Sequence, residues 1–251
     1  MVTTTSLLIV RAVVTGACGF IGSTLAERLV DSEWNVVGID SLTPYYDIDQ
    51  KRRNVSRLLH HPAFTFLEAD LLQADLGGVL DGADIVYHQA AQPGVRLSWS
   101  SGFSTYTDAN IVATQRLLEA AQAAAVGRFV YASSSSVYGN ADFVPTPEDA
   151  PKRPFSPYGV TKYAGEMLCR AYGENFGLFT IALRYFTVYG PRQRPDMAFH
   201  RFLKAARDRE PIRVFGDGEQ TRDFTFVGDI VAATRAAAAT GGPGRVYNVG
   251  G

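Results

Sequence analysis

Cysteine is nearly absent from this sequence. Cys18 and Cys169 are the only two in 251 residues; they show none of the paired spacings of a zinc site and could form at most one bridge. That usage predicts a reducing, cytoplasmic setting, in which the sequon Asn54-Val55-Ser56 would carry no glycan. A charge excess is missing too. The 24 Lys and Arg face 25 Asp and Glu, and no five like charges stand together, so a phosphate backbone would find no basic footprint and nucleic acid is not an expected partner. No apolar run approaches the roughly 20 residues of a bilayer span, so no membrane role is expected. The short stretch at residues 7–10, ended by Arg11, has neither the basic flank nor the cleavage site of a secretion signal.

What is present is a 46% apolar chain, enough to bury the core of one or two domains. Runs rich in Val and Ile alternate with stretches of helical period, which predicts parallel strands joined by helical crossovers. Strands are expected at 11–15, 35–39, 64–67, 84–88, 128–132 and 179–183, and helices at 20–30, 50–59, 107–124 and 157–175. The fold class is therefore α/β, a Rossmann-like doubly wound parallel sheet over residues 1–185. Beyond Arg184, Gly190-Pro191, Pro195, Pro211 and the turn-rich segment 215–219 mark a smaller substrate-binding part, 186–251, interleaved with the sheet. Residues 246–251 look like a strand running into a glycine turn. A domain rarely stops there, so more C-terminal chain is expected.

Gly16, Gly19 and Gly22 follow the first strand and open an amphipathic helix, the placement a dinucleotide cradle demands. Gly16 permits the tight turn, Gly19 lets the pyrophosphate approach the backbone, and Gly22 brings helix and strand together. The free N–H groups of the helix start would hold the anion. Asp40 ends the second strand, where a carboxylate accepts from ribose hydroxyls and repels a 2′-phosphate, favouring NAD. Lys51, Arg52 and Arg53 read as a solvated helix face. Asp70-Leu71 sits where an adenine edge would lie.

Tyr158 and Lys162, four apart on one helix face, can form an acid/base pair. A phenolate near neutral pH needs stabilisation of roughly 4 kcal/mol, which an adjacent ammonium and ribose hydroxyls could supply. Ser133 to Ser136 follow a strand end, in the crevice where such sheets bind ligands. Their hydroxyls can donate to a substrate oxygen and relay its proton to Tyr158.

With these residues the chain resembles the extended short-chain dehydrogenases/reductases of the nucleotide-sugar epimerase group. The matching blocks are 15–22, 88–96, 133–139, 157–162, 184–194 and 215–227, nearly the whole length. Within that group Gly94-Val95-Arg96 and the run Tyr189 to Met197 look most like UDP-glucuronate 4-epimerases. The resemblance implies that Ser134, Tyr158 and Lys162 are catalytic. It implies an NAD site at Gly16, Gly19, Phe20, Ile21, Gly22, Asp40, Asp70, Leu71, Ala90, Asn110, Tyr158 and Lys162, Asn110 falling in the helix where the family keeps a structural asparagine. It also implies a homodimer paired through the helices at 107–124 and 157–175.

Enzymes of the group share one first step, in which a sugar 4-hydroxyl loses its proton to the tyrosine while C4 is oxidised by NAD. A dehydratase resembling them would carry Asp and Glu where Ser135 and Ser136 stand, and a decarboxylase Glu at 136. Epimerisation of a UDP-sugar is what remains, with Arg222 implied as a diphosphate contact. For a uronic acid the 4-keto intermediate is a β-keto acid, and its carboxylate must be kept from aligning with the carbonyl. Ser135, Ser136 and Thr187 suit that task, with Arg192, Arg194 or Arg96 as the cation. Three alternatives remain: a UDP-glucose or UDP-N-acetylhexosamine 4-epimerase, a UDP-glucuronate decarboxylase, and an NAD-binding sensor without catalysis. His88, Trp99, Tyr45 and Tyr46 read as strand-end packing, a core aromatic and two loop anchors, and Cys18 is assigned no chemistry.

Overall fold

The computed structural model describes residues 10–99, 102–212, 214, 217–219 and 221–250. Phe215 and Gly216 of the turn-rich segment, and the residues before Val10, lie outside the described set. In the first half β1 (Arg11–Thr15), α1 (Phe20–Val30), β2 (Asn35–Asp40), α2 (Ile48–Val55) and β3 (Phe64–Glu68) are followed by α3 (Leu76–Leu80) and β4 (Ile85–His88). Next come α4 (Phe103–Thr107), a π-helical turn at Asp108–Val112, α5 (Ala113–Ala123), β5 (Arg128–Ser134), α6 (Pro157–Phe176) and β6 (Thr180–Tyr185). The chain closes with β7 (Thr187–Tyr189), α7 (Ala198–Asp208), β8 (Phe224–Phe226), α8 (Val227–Thr240) and β9 (Arg245–Val249).

Seven strands form one parallel sheet in the order β3-β2-β1-β4-β5-β6-β9. The order reverses between β1 and β4, and the crevice beyond those strand ends is where such a sheet takes its ligand. Successive strand residues face opposite sides. Val14 packs with Leu25, Leu29 and Ile230 from α1 and α8, while Val13 packs with Leu117, Leu118 and Cys169 from α5 and α6. Both faces are thus covered, which explains the continuous apolar strands.

Three helices escaped the periodicity reading: α3, α7 and α8. The most consequential is α8, whose Ile230 and Val231 are buried in the core, because it carries the chain back to β9 beside β6. Residues 227–249 therefore build a further strand of the main sheet. Trp99, expected in the core, is 53% exposed; it follows a short 3-10 turn on the surface. No described helix is long and apolar enough to cross a membrane.

Candidate functional site

A cleft of about 1460 Å³ opens over the C-terminal ends of the central strands. Its floor is the glycine cradle. Gly16 has a φ of +68°, and a Cβ there would come 2.8 Å from the Ala90 nitrogen; one on Gly22 would overlap the Gly16 carbonyl. Gly19 caps α1 with no side chain, so the first N–H groups of the helix keep their capacity to bind an anion. Asp40 is fixed by two backbone donors, Cys18 N at 3.0 Å and Leu42 N at 2.8 Å. A carboxylate has about four lone-pair sites, so two remain for ribose hydroxyls. Phe20, Ile21, Asp70, Leu71 and Ala90 line the same cleft. This arrangement fits a dinucleotide: a side-chain-free backbone cradle, a helix start and a pinned acidic group at the next strand end.

Lys51 corrects the expected solvated helix face. It is buried and lines the cleft, its ammonium donating to the Thr43 carbonyl at 2.8 Å and hydroxyl at 3.2 Å. Arg52 and Arg53 do lie in solvent, beside Asp49 and Asp47. Burial pushes the Cys18 thiol well above its ordinary value.

Ser134 ends β5, and its hydroxyl accepts from Ser136 N at 3.1 Å. The helix bearing Tyr158 and Lys162 starts where it does because Ser156 accepts from Gly159 N at 3.1 Å and Pro157 occupies the first turn. Burial raises the Tyr158 phenol above its usual range, against the Arg194 cation and a hydrogen bond with Ser134, which lower it. Lys162 is buried with its ammonium 4.5 Å over the Tyr131 ring. Desolvation brings its pKa down to about 8, although Cys169 and Glu166 push the other way.

Asn110 is not in the cleft. Its side-chain oxygen accepts from Gln92 N at 2.7 Å, and its amide donates to the Gln92 carbonyl at 3.1 Å and to Thr161 at 2.9 Å. It sits in the π turn and ties the loop after β4 to the catalytic helix. His88 is similarly structural. It joins Thr15 at 2.7 Å and Thr114 at 2.9 Å. Thr114 spends its proton on the Asn110 carbonyl, which assigns the His88 proton to Nε2 and leaves Nδ1 to accept from Thr15.

On the substrate side Ser135, Ser136, Thr187, Arg194 and Arg222 line the cleft. Arg192 does not: it pairs with Glu27 at 2.8 Å and reaches Ser23 at 3.3 Å on α1. Its φ of +69° turns the chain between the two arginines, so the expectation of a carboxylate contact from Arg192 is corrected. Arg96 lies exposed on a 3-10 turn outside the lining. Arg194 is bound edge-on by Asp196, Nε to Oδ1 and NH2 to Oδ2 at 3.1 Å each. Sequence reading missed Asp196 and gave Tyr45 and Tyr46 only anchoring roles. The available signal was Gly94, whose φ of +102° puts a would-be Cβ 2.6 Å from the Tyr45 hydroxyl.

Residues 12–250 match the NAD dependent epimerase/dehydratase family. An uncharacterized UDP-glucose epimerase of Bacillus subtilis (strain 168) is 47% identical over 96% of this chain and 77% of its own length. The UDP-glucuronate 4-epimerase of Thermodesulfobacterium geofontis (strain OPF15) is 39% identical over 89% of this chain and 70% of its own. Among solved structures, UDP-glucuronic acid 4-epimerase from Bacillus cereus, in complex with UDP-glucuronic acid and NAD, superposes with a TM-score of 0.93. It shares 47% identity and covers 96% of this chain and 77% of that one. A glycine cradle, a pinned Asp40 and a Ser134-Tyr158-Lys162 cluster in one cleft accord with these likenesses: the chain belongs to the NAD dependent epimerase/dehydratase family.

Proposed function

We propose that this protein is an NAD-dependent 4-epimerase of a UDP-hexuronic acid, interconverting UDP-glucuronate and UDP-galacturonate. The observation that carries this reading is the cation of Arg194, held by Asp196 and lining the same cleft as Tyr158. The likeness to a structure holding UDP-glucuronic acid and NAD supports it.

Gly16, Gly19, Gly22 and Asp40 would hold NAD, which when bound supplies reversible two-electron oxidation and reduction at the sugar's C4. Tyr158 takes the proton of the 4-hydroxyl and returns it, with Ser134 hydrogen-bonded to both oxygens in turn. Lys162, one helical turn beyond Tyr158 and lining the same cleft, supplies positive charge, at a cost in desolvation that brings its pKa down to about 8. Arg194, with Ser135, Ser136 and Thr187, orients the sugar carboxylate out of line with an adjacent carbonyl, which suppresses loss of carbon dioxide. Arg222 holds the diphosphate.

Residues 1–185 would carry the cofactor and 186–251 the substrate-facing part, which is interleaved with the sheet because α8 and β9 return to it. Val160 and Met167, seven apart on one face of α6, are 48% and 38% exposed. That apolar face supports a homodimer, and the scarcity of cysteine supports the cytoplasm.

Incubation with UDP-glucuronate and NAD, with the products resolved by chromatography, tests the reading. The expected product is UDP-galacturonate. A UDP-pentose would show a decarboxylase, conversion of UDP-glucose alone would show a neutral-sugar epimerase, and NAD binding with no interconversion would show a sensor.

A further inference from the structure

An arginine that discriminates a carboxylate must itself be held in place, and Arg194 is held unusually. A guanidinium carries five N–H donors in a rigid plane. Nε and NH2 are committed to the two oxygens of Asp196, each at 3.1 Å. NH1 has no hydrogen-bond partner among the described residues, although only 20% of the side chain is exposed and it lines the cleft.

Asp196 is secured in turn by Tyr45, whose hydroxyl donates to Oδ2 at 3.2 Å. Tyr45 belongs to the loop after β2 in the main sheet, whereas Arg194 follows β7, which pairs with β8 in a separate two-stranded sheet; the Tyr45 ring centroid lies 5.7 Å from the Arg194 guanidinium carbon. The space for its hydroxyl exists because position 94 has no side chain. Loops after β2 and β7 thus meet at one cation, in space left by the loop after β4.

We propose that Asp196 is a specificity-determining positioning residue, which with Tyr45 turns the unpaired edge of Arg194 toward a sugar carboxylate. The proposal rests on the UDP-hexuronate reading above. Asp196 engages the Nε edge of the guanidinium, and the substrate carboxylate takes the NH1 edge, a carboxylate on each side of one planar cation. A neutral sugar gains nothing from that edge, so the discrimination depends on its orientation being fixed before the substrate arrives.

The test measures dissociation constants of UDP-glucuronate and UDP-glucose by calorimetry on NAD-loaded protein, for the parent and three variants. Arg194→Ala is expected to abolish the preference for the uronate. Asp196→Asn, which keeps the shape but loses the charge and the two-point grip, is expected to weaken UDP-glucuronate about tenfold and leave UDP-glucose within about twofold. Tyr45→Phe should shift the ratio the same way by less. Equal thermal midpoints would separate this effect from a loss of fold. If Asp196→Asn keeps the parent's affinity ratio while Arg194→Ala destroys it, the role of Asp196 is refuted and the carboxylate clamp stands. Tighter uronate binding by Asp196→Asn would also refute it, by making Asp196 a competitor for the cation. An unchanged ratio in Arg194→Ala removes the clamp and Asp196 with it, whereas a parent protein that makes no UDP-galacturonate strikes the proposed activity instead.

Discussion

Arg184 and Glu166 form an ion pair behind the catalytic helix, with side chains 2% and 0% exposed. The guanidinium donates through Nε and NH2 to the two carboxylate oxygens at 2.9 and 2.7 Å, and its NH1 reaches the Tyr138 hydroxyl at 2.6 Å and the Glu148 carbonyl at 2.8 Å. Glu166 lies one helical turn beyond Lys162 and also accepts from Ser133, the neighbour of Ser134. Tyr138 continues to Asn248 of β9 at 2.7 Å. One buried network therefore joins the strand of the catalytic serine, the helix of the catalytic tyrosine and lysine, and the strand formed by residues 245–249.

Removing one member should be costly, because it leaves an opposite charge buried without a partner. Glu166→Gln is expected to lower stability by about 3–5 kcal/mol. Replacing both groups, as in Glu166→Met with Arg184→Met, should cost less than the sum of the two single changes, since neither charge is then stranded. Urea unfolding of the parent, the two single Met variants and the double variant checks this. Additive losses would show that the two side chains act independently.

Tyr158→Phe is expected to bind NAD as the parent does and to lose turnover by at least about a hundredfold, the ordinary contribution of a general acid/base. The hydroxyl is the only atom removed, and Phe fits the space packed against Tyr106, whose ring centroid is 6.3 Å away. Near-parental rates in this variant would take Tyr158 out of the chemistry.

The parts of the site that were legible in the sequence are those fixed by local backbone. Gly16 to Gly22 had to be a strand-to-helix turn because of where the glycines stand, and Tyr158 and Lys162 had to share a helix face. The arginines were different. Arg192 and Arg194 are two residues apart in a run without period, and a left-handed backbone at Arg192 sends one to α1 and the other to the cleft. No side-chain pattern encodes that turn. Helix α8 was hidden for another reason: Ala232, Ala233 and Ala236 to Ala239 give little contrast between faces, so its amphipathic signal is weak although its apolar face is buried. Lys51 was misread because a cation in a basic stretch usually lies in solvent, and its carbonyl and hydroxyl partners at Thr43 come from a loop whose path only the folded chain defines.

The glycine cradle separates two kinds of cost. Gly22→Ala pushes a methyl group into the Gly16 carbonyl, in the turn that receives the dinucleotide. It is expected to destabilise the protein by about 1–3 kcal/mol and to weaken NAD binding, read by fluorescence titration. Gly82→Ala is the control. It has a φ of +64° with nothing within 4 Å, so it should cost about 1–2 kcal/mol from backbone strain alone and leave NAD affinity unchanged. Equal effects of the two substitutions on NAD would show that the loss at Gly22 is only a general loss of stability.

Acid should unfold this protein through His88. Burial, with a smaller contribution from Lys162, lowers its pKa from 6.5 to about 3, and both ring nitrogens are already committed to Thr15 and Thr114. Between those two pH values the unfolded chain binds a proton at this position that the folded chain does not. Stability at His88 is thus full above pH 6.5 and falls as pH drops toward 3, by about 1.4 kcal/mol per pH unit in the middle of the window. Adding the proton to the folded protein would require Nδ1 to become a donor, and Thr15 would have to give up the hydrogen bond it now donates. His88→Gln carries no titrating group, so its stability should fall less steeply between pH 6 and 4 than the parent's, even if it starts lower. Urea midpoints measured across that range give the two slopes. Parallel slopes would place the acid sensitivity elsewhere in the chain.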